Sequence, residues 1–228
     1  MLYYLLNQEL SGVSGVILFL GYILAIVVSL TVHEFSHAFV ALQFGDDTAK
    51  LKGRLTFNPF AHFDILGIIC FLFVGFGWAK PVPINPLRFK KFRAGMIWTS
   101  LAGIISNLLL ALIFSLVYIL LTVVFKVGTT EIGAAFISVA SVFTTLNASL
   151  AVFNFLPIYP LDGFNFLAAT LKQGNKFLEF MAKYGIFVLF GLIISGIFDF
   201  LIQIVAGGIL TLFSLYWQTV LMIIMRIF

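Results

Sequence analysis

The sequence predicts an all-α polytopic membrane protein: one domain of five to six transmembrane helices, with a re-entrant loop between the first two. Three observations predict it. Of the 228 residues, 62% are hydrophobic and only 10% are charged, against about 25% charged in a soluble domain. Five apolar stretches approach or exceed the length of about 20 residues that crosses a hydrocarbon core, whereas a sixth is too short. The basic residues also fall unevenly among the connecting segments, as they do where a bilayer sets the topology.

The first stretch runs from Val16 to Phe44. The short run follows, Ile65 to Gly77, thirteen residues that end in Gly75 and Gly77 ahead of Pro81 and Pro83. That is the length of a re-entrant or interfacial segment, acceptable only where protein or water covers its backbone. The remaining stretches are Gly95 to Phe125, Ala134 to Phe155, Tyr184 to Val205 and Ile209 to Phe228.

Charge decides whether the short run crosses. If it dips and returns, all of Gly45 to Arg93 lies on one side, with Lys50, Lys52, Arg54, Lys80, Arg88, Lys90, Lys91 and Arg93. Lys172, Lys176, Lys183 and Arg226 join them, so 12 of the 13 basic residues share that side and only Lys126 faces away. A crossing would divide them 9 against 4. The positive-inside rule favours the dip, with the N-terminus outside and the basic side cytoplasmic.

The net charge of +4 is a topology marker and points to no nucleic-acid partner. Cys70 stands alone, so no internal disulfide forms. The first fifteen residues carry Glu9 and neither Lys nor Arg, unlike the basic start of a cleaved secretory signal.

The chemistry begins inside the first span, at His33-Glu34-Phe35-Ser36-His37. On a helix, histidines four apart lie about 40° from each other on one face. Two such imidazoles can hold one zinc ion while Glu34 activates water as general base. Ionisable groups cost about 2.5–3.5 kcal/mol each at a helix centre in a bilayer, so three within five residues call for a metal or a proton path. Catalytic zinc takes three protein ligands as a rule. Asn147 is neutral, and Glu131 and Glu179 sit in connecting segments. Asp162 is the best third ligand, just after Pro157 and Pro160 have broken the preceding helix, though taken alone it reads equally as a helix cap. The topology favours coordination: the histidines lie about nine residues, or roughly 14 Å, from the Phe44 end. With the dip, that end and Asp162 face the same side.

The H-E-F-S-H helix, the later Asn154-Phe155-Leu156-Pro157-Ile158-Tyr159-Pro160-Leu161-Asp162-Gly163 segment and their order resemble the site-2 protease family. Gly53 to Asp64 and Gly77 to Pro83 match as well, and point to the compact bacterial branch without a PDZ domain. The resemblance implies an intramembrane zinc metalloprotease in the bacterial cell membrane, its active site opening to the cytoplasm. One Zn2+ per chain would sit on His33, His37 and Asp162, with Glu34 catalytic. It gives Asn154 the role of holding the substrate carbonyl or its oxyanion. It also implies that the loop between the first two spans is partly β-structured, an edge around Gly53 to Phe57 that pairs with extended substrate. Ala102-Gly103-Ile104 departs from the family's Ala-Gly-Pro. Asn107 either packs helices or approaches the site, and His62 and Asp64 either support the metal ligands or tie the loop down.

The expected partners are the lipid bilayer and a transmembrane protein substrate, a single-span regulator already trimmed by another protease; the oligomeric state is unknown. The single metalloprotease domain covers 1–228, with the catalytic core at about 16–166 and C-terminal helices at about 184–228. Two other readings compete. An ion or metal transporter also buries His, Glu and Asp, but no second copy of either motif supplies its paired halves. A zinc protease with glutamate as third ligand would need Glu179, which lacks the partner residues.

Overall fold

The computed structural model describes residues 12–74, 79–172 and 174–227; Glu9, Gly75, Gly77 and Trp78, which the sequence analysis uses, lie outside them. Helix α1 spans Val13–Gln43 and ends where Gly45 takes φ +106, a conformation that suits a residue without Cβ. Helix α2 is a single turn, Thr48–Leu51, and α3 covers Ile65–Val74. Helix α4 spans Phe92–Ile119 and continues through a π turn at Leu120–Val124. Helix α5, Glu131–Phe155, starts on a Thr130 cap whose side chain accepts from Gly133 N. Helix α6 covers Asp162–Thr170, α7 Lys176–Ile194 and α8 Ile197–Ile227.

Among the described residues, five helices are long and apolar enough to cross a bilayer: Val13–Gln43, Phe92–Val124, Glu131–Phe155, Lys176–Ile194 and Phe200–Ile224. With so little charge, this is an integral membrane protein. Helix α3, ten residues long, measures about 15 Å at 1.5 Å per residue, half of what a hydrocarbon core of about 30 Å demands. The chain comes back to its starting point after α3: Phe63 and Ala79 form an antiparallel bridge, and Lys80 N donates to His62 O at 2.8 Å.

Two expectations are corrected. The β-structured edge is not found: among the described residues there is no strand, only that isolated bridge. Thr48–Leu51 takes a helical turn instead, and Gly53 follows at φ +66. On the returning side Pro81, Pro83 and Pro86 remove the donors a ladder needs. The boundary between the last two spans also moves. It was expected between Val205 and Ile209, but the chain turns at Ser195 and Gly196, the latter at φ +73, the left-handed position that commonly ends a helix. Gly207 and Gly208 lie inside α8. Each costs about 1 kcal/mol of helix propensity, less than leaving backbone groups unbonded in lipid.

The core is the contact of α1, α4 and α5. Tyr22, Ala25 and Ile26 of α1 meet Phe143 and Leu146 of α5, and Phe114 of α4 stacks on Phe143 with centroids 4.0 Å apart. Small residues let these helices approach, as membrane packing requires: Ala111 and Ala148 are fully buried and receive Ala206 of α8. Helix α7 packs by Leu189 on Ile158 and Leu161, in the turn that precedes Asp162.

Candidate metal centre

The His33-Glu34-Phe35-Ser36-His37 run falls on continuous helix in the C-terminal half of α1, with His33, Glu34 and His37 buried. Asp162 arrives from elsewhere. Helix α5 ends at Phe155, the chain turns through Ser-free, proline-marked sequence at 156–161, and Asp162 opens α6. Two contacts hold that opening in place. Gly163 sits so close beneath α5 that an added Cβ would lie 2.5 Å from Leu156 O. At the far end of α6, Arg93 of α4 donates to Ala169 O at 3.1 Å and Thr170 O at 2.6 Å.

The result is a triangle. His33 Nε2 is 3.3 Å and His37 Nε2 3.1 Å from Asp162 Oδ2, and the two Nε2 atoms are 3.1 Å apart. Their other nitrogens fix the protons. His37 Nδ1 lies 2.7 Å from Thr99 O and His33 Nδ1 3.1 Å from Asn107 Oδ1; both oxygens only accept, so each Nδ1 carries hydrogen. Each neutral ring therefore turns a lone pair toward the carboxylate. Asp162 Oδ2 is buried with no donor of its own.

Three converging acceptors repel unless a cation sits between them. The spacing fits zinc: tetrahedral bonds of about 2.0–2.1 Å to nitrogen and oxygen place ligand atoms about 3.3 Å apart. Among the described residues, these three form the one His, Cys, Asp or Glu cluster able to hold a metal.

Glu34 lies beside the triangle without joining it. Its Oε2 accepts from Val82 N at 2.8 Å, which leaves the other oxygen free. Val82 is held in turn, because the fully buried Asp46 accepts from Asn85 N at 2.6 Å and ties the 79–86 segment to the end of α1. Glu34, the three triangle residues, Asn154 and Asn165 all line a single cleft of about 600 Å3. Most of the remaining lining is apolar, including Leu30, Met96, Leu150, Phe153, Leu161 and Leu189, with Thr99 and Ser100 as polar exceptions. Asn154 spends one N–H on Leu150 O at 3.0 Å and retains a second.

The remaining sequence-chosen residues separate clearly. Asn107 touches His33. His62 is fully buried but bonds Thr56 O at 2.8 Å through Nε2, and Asp64 accepts from Gly67 N at the start of α3; both bonds stay within the loop. Sequence reasoning passed over Asn165, the Thr99 carbonyl, the Val82 N–H and the spacing role of Gly103. A Cβ on Gly103 would lie 2.6 Å from both His33 Nδ1 and His37 Nε2, so only glycine lets α4 pass the imidazole pair. The small Ala102-Gly103 pair was the available signal; the two backbone groups offered none.

Comparison with known proteins gives a consistent result. Residues 21–195 match the model of peptidase family M50. The chain is similar to YwhC of Bacillus subtilis, 39% identical over 208 residues, which are 87% of this chain and 93% of that protein. It is also similar to Rip2 of Mycolicibacterium smegmatis, 28% identical over 215 residues, 84% of this chain and 79% of that one. For Rip2 of Mycobacterium tuberculosis the figures are 30% over 156 residues, 66% and 57%. All three carry the name "Putative zinc metalloprotease". No solved structure matches.

Proposed function

The chain belongs to peptidase family M50, the site-2 proteases, and on that premise we propose that His33, His37 and Asp162 hold its zinc while Glu34 and Asn154 carry out the chemistry. The protein is an intramembrane zinc metalloprotease. The observation that carries the residue assignment is the triangle of acceptors 3.1–3.3 Å apart, with Glu34 held beside it in one cleft. Nothing in the relatives' names supports transport.

Bound zinc would supply Lewis-acid polarisation of the scissile carbonyl and a more acidic water. Glu34 takes the proton from the attacking water on the oxygen Val82 leaves free, then delivers it to the departing amide nitrogen. Asn154 turns its second N–H toward the carbonyl oxygen, where negative charge develops. The largely apolar lining lowers the local dielectric, which strengthens each of these interactions.

The substrate reading is a single-span membrane protein whose helix unwinds to lie along the cleft. A helical carbonyl is already bonded, and each group freed in lipid costs several kcal/mol. Gly, Pro, Asn or Ser in the cytoplasmic third of the span lowers that cost. Replacing those residues with Leu is expected to slow cleavage at least tenfold, with binding little changed, in purified enzyme reconstituted into bilayers. Equal rates would mean that unwinding does not limit cleavage.

The orientation reading puts the protein in the bacterial cell membrane with the N-terminus outside and the cleft opening to the cytoplasm. It is supported by the 12 of 13 basic residues on one side and by the bond that returns Lys80 to His62. In a Cys70→Ser background, single cysteines at Lys52 and Lys91 should both label from the cytoplasm, and one at Gly128 from outside. Opposite sides for Lys52 and Lys91 would establish a full crossing instead.

A further inference from the structure

The catalytic cleft leaves two buried amides unexplained. Asn107 on α4 and Asn147 on α5 are both fully enclosed, where an unbonded amide costs on the order of 1–3 kcal/mol. Their bonding differs. Asn147 donates to Ser29 Oγ at 2.8 Å and to Phe143 O at 2.9 Å, which ties α5 to α1 without touching a metal ligand. Asn107 finds no partner for its Nδ2. Its Oδ1 lies 3.1 Å from His33 Nδ1 and 3.5 Å from Ser106 Oγ, which bonds Gly103 O more closely at 2.8 Å. A leucine of similar volume would fill the space without an orphaned N–H. Packing therefore does not account for an amide at this position, whereas the bond to His33 does.

We propose that Asn107 is a positioning residue for the metal. Its Oδ1 accepts the His33 Nδ1 proton, which fixes the tautomer, sets the ring angle and presents the Nε2 lone pair to the site. The two histidines are oriented by different means. His37 is held by the Thr99 carbonyl at 2.7 Å, a backbone group that no substitution removes. The orientation of His33 depends instead on a side chain from a different helix, 74 residues away in sequence. Partners of this kind change metal affinity by about 10–100-fold. The inference rests on the ligand assignment above and adds the group that orients one of those ligands.

The test measures zinc affinity by chelator competition on the full-length protein in detergent, with thermal unfolding alongside. Asn107→Leu is expected to weaken zinc about 10–100-fold, and Asn107→Asp, which keeps an acceptor, to bind within about threefold of wild type or tighter. Asn147→Leu is expected to unfold at lower temperature and yet hold zinc as wild type does. Cobalt in place of zinc should show a changed visible spectrum in Asn107→Leu and an unchanged one in Asn147→Leu. If Asn107→Leu does not fold, Asn107→Ala takes its place with the same expectation. Wild-type zinc affinity in the leucine or alanine variant overturns the inference. So does an equal loss in Asn147→Leu, or an aspartate variant as weak as the leucine one. His33→Ala separates the two levels: if it keeps zinc, the ligand assignment falls and this inference with it. If it loses zinc while Asn107→Leu keeps it, only the inference falls.

Discussion

Glu34→Gln is expected to abolish turnover while the protein keeps its metal and its fold. The glutamine is isosteric, and its carbonyl oxygen can still accept the Val82 N–H that now reaches Glu34 Oε2 at 2.8 Å. What disappears is the ability to take a proton from water and return it to the leaving nitrogen. General acid–base catalysis contributes about 10²–10⁴-fold, and Glu34 serves in both halves of the reaction. A loss of about 10³-fold or more in kcat corresponds to about 4 kcal/mol of transition-state stabilisation at 1.36 kcal/mol per decade. Zinc content and unfolding temperature should match wild type, because Glu34 does not contribute to the triangle. The measurement is turnover of a membrane-embedded substrate together with metal analysis of the same preparation. Retained turnover would remove Glu34 from the mechanism, and lost zinc would make it a ligand.

Asp162→Ala is expected to act through the metal. It deletes the oxygen that both histidines face at 3.1 and 3.3 Å, and it leaves two neutral nitrogens where catalytic zinc takes three protein ligands. The site also loses the one anion in the triangle. Metal analysis should fall from about one zinc per chain to about a tenth or less, with activity lost in proportion. The α6 helix should persist, because Gly163 still packs on α5 and Arg93 still caps its far end. Asp162→Ala with full zinc would show that the third ligand lies elsewhere.

The two outcomes differ in kind, which reflects how each residue was found. His33, Glu34 and His37 were legible because ionisable groups in an apolar span are expensive and so ask for a reason. Asp162 was legible through the prolines that end α5 before it and through the side of the membrane it had to share. The positions of the first three spans followed from hydropathy, and so did the short run that became α3. The last two spans were also recognised, but their boundary was misplaced. Gly196 ends α7 through its positive φ, whereas Gly207 and Gly208 remain within α8; composition alone treats all three alike. The β-structured edge came from family resemblance and failed on this chain's own Gly53 and prolines. The Thr99 carbonyl and Val82 N–H exist at every position of any chain, so only the fold can show that these two matter.

The central claim is that two imidazoles and one carboxylate hold a zinc ion, and X-ray absorption at the zinc edge tests it most directly. The chain has three histidines and one cysteine, so the alternatives are few. The account predicts nitrogen and oxygen neighbours at about 2.0–2.1 Å and no sulfur at about 2.3 Å. The outer-shell scattering should correspond to two imidazoles, from His33 and His37. A third imidazole would bring in His62, and a sulfur shell would bring in Cys70; either result would contradict the centre described here.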